Sequence, residues 1–261
     1  MKAADDDRRH LATVLGEAAE LARTYADRDV DVVRKAGGSP VTEADHALDA
    51  FLRQSLPRPG EGWLSEESAD DLERLDRRRV WIVDPIDGTE DFIARTDEWS
   101  ISVGLIEDGR AILGGIANPR QRRLVVGGPE LGIEVDGRAI GPIPQRPLQE
   151  SVVLASRNEL RRREWARFEQ EPFRIRPVSS IAWKMALVAI GEADATWALG
   201  EKSEWDVAAG CALAAAAGRR VCHADGSTPR FNRPSPLVRG IVVVPDPSRA
   251  EGWAGFLGRL V

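Results

Sequence analysis

The run Val80–Val83 is built of β-branched and aromatic residues, carries no charge, and leads directly into Asp84-Pro85-Ile86-Asp87-Gly88-Thr89. Such a run reads as a buried strand, and Pro85 and Gly88 are expected to break the regular backbone immediately after it. A chain with this segment must build a sheet that presents acids at a strand's carboxyl end, where open α/β sheets usually bind ligands. Asp84 and Asp87 flank a turn, which brings two carboxylates and the Ile86 carbonyl within reach of one or two cations; Mg²⁺ takes oxygen ligands at about 2.0–2.1 Å. A single Asp at a turn is commonly only a cap. Here a second acidic pair, Glu66-Glu67, stands a short way upstream in Leu64-Ser65-Glu66-Glu67-Ser68, and the whole string reads better as a cation site. Gly88 and Thr89 then open Glu90–Arg95, a short helix whose amides would face a phosphate.

The surrounding pattern predicts a mixed α/β protein. Leu11, Val14, Leu15, Ala18, Ala22 and Tyr25 recur at helical spacing, and Ala44, Leu48, Phe51 and Leu52 do so after Thr42, an expected N-cap. From Ser100 the pattern turns to strands, Ile101–Ile106 and Ala111–Ala117 joined by an Asp108-Gly109 hairpin turn, with a further turn at Asp136-Gly137. The proline-rich stretch 141–147 marks the expected boundary between an N-terminal half, 1–146, and a C-terminal half, 147–261. In the second half, strands are expected at 152–155, 173–178 and 193–198, and helices at 158–169, 180–190 and 206–217, the last stopped by Gly218. Asp206 would open that last helix, a position where Asp is ordinarily a cap.

With 261 residues and 43% hydrophobic content the chain can bury a full core. It has no apolar run of the ~18 residues that a spanning helix needs. Its acidic start lacks the order of a signal peptide. Cys211 and Cys222 are too few for a disulfide framework, so a cytoplasmic setting is expected. The net charge of −6 argues against a nucleic-acid polymer or an acidic membrane as partner. A small anionic substrate is compatible with it, because bound metal reverses the local sign. His10, His46 and His223 lack motif context and read as structural or surface residues, and no G-x-S-x-G elbow accompanies Ser65 or Ser68.

Taken together, Ser39-Pro40-Val41-Thr42-Glu43-Ala44-Asp45, Glu66-Glu67, Asp84–Thr89 and Glu204-Trp205-Asp206-Val207-Ala208-Ala209-Gly210 resemble, in order, the acidic motifs of the inositol monophosphatase superfamily of Mg²⁺-dependent, lithium-sensitive phosphatases. The resemblance implies a layered α-β-α-β-α sandwich, with the site between the halves, and allows a homodimer. It implies two or three Mg²⁺ ions held by Glu66, Asp84, Asp87, Asp206 and the Ile86 carbonyl. Asp45 and Thr89 would hold and deprotonate the attacking water, with Asp45 orienting Thr89 or binding a further ion, and Glu67 would support the site from behind. A phosphate monoester dianion repels a hydroxide nucleophile, so its hydrolysis needs cations of this kind.

Within the superfamily, Leu64-Ser65-Glu66-Glu67, Asp91-Phe92-Ile93-Ala94-Arg95, Ala155-Ser156-Arg157 and Ser179-Ser180 with Lys184 resemble the CysQ-type 3′(2′),5′-bisphosphate nucleotidases. Gly88, Thr89, Ser156, Arg157, Ser180 and Lys184 are the substrate-binding residues this implies, for a small phosphorylated substrate, a nucleotide. Leu199, seven positions before Asp206, stands where inositol phosphatases carry a hydroxyl-accepting Glu. The nucleotidase pattern is itself incomplete, with no Gly before Ser179-Ser180 and Ala198 where an Arg often stands. Inositol phosphate, histidinol phosphate and sugar phosphates therefore remain as alternatives, as does a phosphate- or metal-sensing binding protein without catalysis. The arginines at 161, 162, 163, 167, 174 and 176 alternate with glutamates and read as an ion-paired surface. Trp183 reads as core.

Overall fold

The computed structural model describes residues 2–28, 32–34 and 40–260. Ser39, the first residue of the early acidic motif, lies outside them. The chain opens with α1 (Lys2–Ala26), a two-stranded ribbon of β1 (Val32–Arg34) and β2 (Pro40–Thr42), and α2 (Glu43–Ser55). A seven-stranded sheet follows, made of β3 (Gly62–Ser65), β4 (Arg79–Asp87), β5 (Ser100–Glu107), β6 (Arg110–Asn118), β7 (Arg123–Gly128), β8 (Gly132–Val135) and β9 (Arg138–Ala139), side by side in that order. Short α3 (Thr89–Ile93) interrupts it after β4. The turns at Asp108-Gly109 and Asp136-Gly137 are left-handed at both positions, as two-residue hairpins require.

The second sheet collects β10 (Val152–Ala155), β11 (Arg174–Pro177), β12 (Ala195–Ala198), β14 (Arg220–Cys222) and β16 (Ile241–Val244), in the order β11-β10-β12-β16-β14; β13 (Lys202–Ser203) and β15 (Leu237–Val238) pair separately. Helices α4 (Arg157–Arg161), α5 (Ile181–Ala189), α6 (Glu204–Ala216) and α7 (Trp253–Leu260) complete the chain. The proline-rich stretch 141–147 forms no regular element on its way to β10.

Period-two alternation on β4 explains the layering. Trp81 and Val83 face α1 and α2 in one core, while Val80 and Ile82 face α5 and α6 in another. The far side of α5 and α6 packs on Leu154, Ala198, Ile241 and Val243 of the five-stranded sheet. The opposite face of that sheet packs Trp197 and Val242 against Trp165, Phe168 and α7. The protein is thus a layered α-β-α-β-α sandwich. No helix among the described residues is long and apolar enough to cross a membrane.

Three local expectations are corrected. Pro85 does not end its strand: β4 continues to Asp87 through a bulge, where Asp84 pairs with Ser102 and Asp87 with Ser100. A bulge leaves one residue outside the ladder, so the amide that proline lacks is not missed. The helix expected over 158–169 stops at Arg161, and Arg163 takes a positive φ of 62° before a 3₁₀ turn at Ala166–Phe168. The break lets Trp165 stack on Trp197, with ring centroids 4.7 Å apart, while Phe168 meets the same ring edge-on. Finally, α6 begins at Glu204, so Asp206 is its third residue.

Helix α6 lies against β5 and β6 at backbone distance. A Cβ placed on Gly104 would meet the Ala208 Cβ at 3.0 Å, and one on Gly114 would stand 2.2 Å from the Ala209 carbonyl oxygen. Gly114→Ala is therefore expected to destabilise the protein by about 2 kcal/mol through overpacking, measured as a shift of the urea midpoint with unchanged slope.

Candidate metal and phosphate site

Four elements deliver the acids. Glu66 follows the last residue of β3, and its amide donates to the Val83 carbonyl at 3.2 Å, which continues the pairing with β4. Asp84 and Asp87 lie on either side of the β4 bulge. Asp45 and Asp206 each occupy the third position of a helix, α2 and α6, and accept from the backbone amide three residues before, Thr42 and Ser203, both at 2.7 Å. A carboxylate in the first turn is favoured by the helix dipole, so the local structure tolerates these charges where they converge.

Ligand oxygens of Glu66, Asp84 and Asp206 all lie within 4.8 Å of one another. Asp87 joins them electrostatically, acting on both Asp84 and Asp206. In each aspartate, one oxygen is held by the chain itself. Asp84 Oδ1 accepts from the Ile86 amide at 3.0 Å. Asp87 Oδ2 accepts from the Ser180 hydroxyl at 2.5 Å and the Ala182 amide at 2.7 Å. Asp206 Oδ2 takes the Ser203 amide. Such bonds aim the remaining oxygens, as partners of metal ligands commonly do.

The electrostatics are those of a site short of positive charge. Burial, then the charges of Glu66, Asp87, Asp206 and Asp45, raise the Asp84 pKa well above the carboxylate range. Burial and Asp87 push Asp206 up to about 7, against the Ser203 amide and Lys202. Asp87 is raised by burial, although the bonds from Ser180 and Ala182 and the charge of Lys184 oppose this. All-oxygen donors, closely spaced and poorly solvated, suit a hard divalent cation.

Beside the acids lies a cavity of about 280 Å³ whose lining includes Asp87, Asp206, Ser156, Lys184, Lys202 and Glu159. Lys184 is buried, and burial with the neighbouring Lys202 lowers its pKa to about 8, against the pull of Glu159, Asp87 and Glu98. Lysine occurs at only four positions in the chain, Lys2, Lys35, Lys184 and Lys202, so two of the four at one cavity is a signal the sequence held. Lys202 and Glu159 were missed because neither belongs to an acidic motif.

Other expected residues take different places. The Ser180 hydroxyl caps α5, accepting from the Trp183 amide at 2.9 Å, and donates to Asp87, so it supports an acid and does not line the cavity. Arg157 is half exposed and forms a two-pronged ion pair with Glu98 at 2.7 and 2.5 Å. Ser156 caps α4. Thr89 Oγ1 donates to the Ile86 carbonyl at 3.2 Å, so these two expected groups are bonded to each other. Gly88 takes φ 100°, which favours glycine, but α3 is only five residues long, and the Asp91 and Phe92 amides both return to the Gly88 carbonyl. Glu67 donates its amide to Ser65 Oγ at 3.3 Å. Trp183 is buried in the core, His10 packs edge-on against Trp81, and Arg163 pairs with Glu169, whereas Arg162, paired with Glu164, also lines the cavity.

The profile of the inositol monophosphatase family matches residues 6–255, nearly the whole chain. The chain belongs to the inositol monophosphatase family. It is 32% identical over 222 residues to the 3′(2′),5′-bisphosphate nucleotidase CysQ of Escherichia coli (strain K12), covering 80% of this chain and 89% of that protein. It is 30% identical over 249 residues to the inositol-1-monophosphatase of Mesorhizobium japonicum, covering 90% and 92%. Among solved structures, the extragenic suppressor protein suhB of Bartonella henselae superposes with a TM-score of 0.79 at 24% identity, covering 97% and 96% of the two chains. Enzymes of the inositol monophosphatase family are metal-dependent phosphomonoesterases, and this chain is one by descent.

The raised carboxyl groups make the metal-free family member sensitive to pH in a definite direction. A group whose folded pKa lies above its unfolded value stabilises fully below the unfolded pKa and loses that contribution as pH rises through the folded one. For Asp206 the window runs from 3.8 to about 7. Metal-free protein is expected to lose thermal stability as pH rises across this window. Asp206→Asn should raise the Tm of metal-free protein on the order of 5 °C at pH 8, less at pH 5, and abolish stabilisation by Mg²⁺. Differential scanning calorimetry with and without chelator checks all three.

Proposed function

We propose that the chain hydrolyses the phosphate monoester of a small nucleotide that carries a second phosphate, a 3′(2′),5′-bisphosphate nucleotide such as adenosine 3′,5′-bisphosphate. The observation that carries this reading is the cavity whose lining gathers Asp87 and Asp206 with Lys184 and Lys202. A monophosphate bound at the acids through cations has no need of two further ammonium groups, whereas a second phosphate dianion does.

The all-oxygen donor set suits Mg²⁺, two or three ions on this reading, with Glu66, Asp84, Asp87, Asp206 and the Ile86 carbonyl as the groups that would hold them. When bound, the ions would neutralise the phosphoryl oxygens and the leaving alkoxide and make water a stronger nucleophile. The chain's own groups do the rest. Asp45, held by Thr42 in its capping bonds, and Thr89, anchored on Ile86, would orient the attacking water and accept its proton. Asp87 is locked by Ser180 and Ala182, so its remaining oxygen is presented without rotamer search. Gly88 allows the turn to pass close to the phosphoryl group. Lys184 and Lys202 would hold the non-reacting phosphate, with Ser156 contributing its backbone turn at the cavity edge. Arg157 would enter only on leaving Glu98.

A second reading has its own support. Glu159 lines the same cavity, with one oxygen taken by the Trp165 indole at 2.8 Å. Its carboxylate would accept hydroxyls of a polyol, which suits inositol 1-phosphate and offsets the apolar Leu199. Phosphate release from adenosine 3′,5′-bisphosphate, inositol 1-phosphate and histidinol phosphate in Mg²⁺ separates the readings. On the nucleotide reading, Lys202→Ala raises KM for the bisphosphate about 10-fold or more, a loss of one charge-assisted contact of about 1.5–3 kcal/mol, and changes inositol 1-phosphate turnover little. Asp87→Asn removes turnover of every ester; retained turnover would dismiss the hydrolytic site, and equal rates on all three esters would dismiss the nucleotide assignment.

A further inference from the structure

Arg74 sits in the 3₁₀ turn Glu73–Asp76, eight residues beyond Glu66, and its side chain is only 1% exposed. A buried guanidinium costs free energy unless every donor is met, and here the partners are specific. Nε donates to both Asp70 oxygens at 3.0 and 3.1 Å, and Nη2 to Asp70 Oδ2 at 2.7 Å. The same group crosses to a segment remote in sequence: Nη1 donates to Asn232 Oδ1 at 2.8 Å and Nη2 to the Arg233 carbonyl at 3.0 Å. Asn232 Nδ2 returns a bond to the Arg74 carbonyl at 3.1 Å.

The path continues to the cation site. The amides of Asn232 and Arg233 donate to the two oxygens of Glu204, at 2.7 and 3.0 Å. Glu204 is fully buried and is the first residue of α6, two before Asp206. At the other end, a Cβ on Gly62 would lie 3.1 Å from the Arg74 Cα. Arg74 is thus packed on the start of β3, the strand that ends one residue before Glu66. Packing of Arg74 on Gly62, followed by hydrogen bonds through Asn232 and Arg233 to Glu204, therefore joins the strand that delivers Glu66 to the helix that delivers Asp206, through residues that belong to neither the acidic cluster nor the cavity.

We propose that Arg74 is a positioning residue for the cation site, a clasp that through Asn232 and Glu204 sets the separation of Asp206 from Glu66 and Asp84. The proposal rests on reading the acidic cluster as the divalent-cation site. Carboxylates that repel one another spread unless their supports are stiff, and Mg²⁺ demands oxygens near an ideal octahedral geometry. Charge-assisted bonds at both Arg74 and Glu204 supply that stiffness. The clasp ties together segments more than a hundred residues apart in the chain.

Asn232→Gly is the cleanest test. It deletes both side-chain bonds between residue 232 and Arg74, leaving only Arg74 Nη2 on the Arg233 carbonyl, and keeps the backbone amide that bonds Glu204; glycine accepts the native φ of 58° without strain. Full-length wild type, Asn232→Gly, Arg74→Met, Arg74→Lys and Asp206→Asn are compared by calorimetric titration with Mg²⁺, by Tm in chelator, and by the Mg²⁺ dependence of phosphate release. The expected result is that Asn232→Gly and Arg74→Met each weaken Mg²⁺ binding about 10-fold or more. Turnover at saturating Mg²⁺ should stay within about threefold of wild type. The double variant should be no weaker than the worse single one, because both cut one link. Lysine at position 74 restores Tm more than it restores Mg²⁺ affinity, since one ammonium cannot span Asp70 and Asn232 together.

An Asn232→Gly protein that binds Mg²⁺ within about twofold of wild type, whatever its Tm, overturns the clasp. If Asp206→Asn binds Mg²⁺ as wild type does, the cation reading itself is wrong and the clasp's role falls with it.

Discussion

Glu66, Asp84, Asp87 and Asp206 repel one another across a few ångströms of poorly solvated space, and much of the surrounding architecture holds them there. Each arrives on an element with reasons of its own to exist: the end of β3, the two sides of a bulge in β4, the first turn of α6. Each aspartate is gripped at one oxygen by an amide or hydroxyl of the chain. Positive helix ends and backbone N–H groups lessen the repulsion without neutralising it. The residual deficit suits the cluster to divalent cations, in a family of metal-dependent enzymes.

The same deficit organises the cavity next door. Two lysines line it beside the acids; the charge of Lys202 lowers the proton affinity of buried Lys184, and the two lysines favour the charged forms of Asp87 and Asp206. The site therefore has two wells of opposite sign side by side: one that becomes positive only when cations enter, and one that is positive in the chain itself. On the proposed function, the two phosphates of the substrate would occupy these two wells. Glu159 breaks the pattern locally and is the residue through which hydroxyl recognition would enter.

Much of this was legible in the residues. The alternation of Val80–Val83, the Asp-Gly hairpins, the helical repeat of Leu11–Tyr25 and the N-cap at Thr42 are local signals, and local structure obeyed them. Where local rules failed, a long-range contact had overridden them. Pro85 was expected to end a strand, but pairing with β5 carries β4 through it as a bulge. The helix expected from 158 to 169 is broken because Trp165 and Phe168 are drawn onto Trp197 under the second sheet. Ser180 and Arg157 have the chemistry of phosphate binders, yet Asp87 and Glu98, both remote in sequence, engage them first.

By itself the sequence determined which side chains carry charge, which faces of its strands and helices are apolar, and the family to which those motifs belong, because these depend on residue type and short spacing. Only the tertiary structure decided which oxygens of those acids remain available, that Lys202 and Glu159 share a cavity with Lys184, and that Arg74 bonds a loop more than a hundred residues away. Hydrogen bonds and Coulomb forces act over a few ångströms, and folding alone sets which groups distant along the chain come that close.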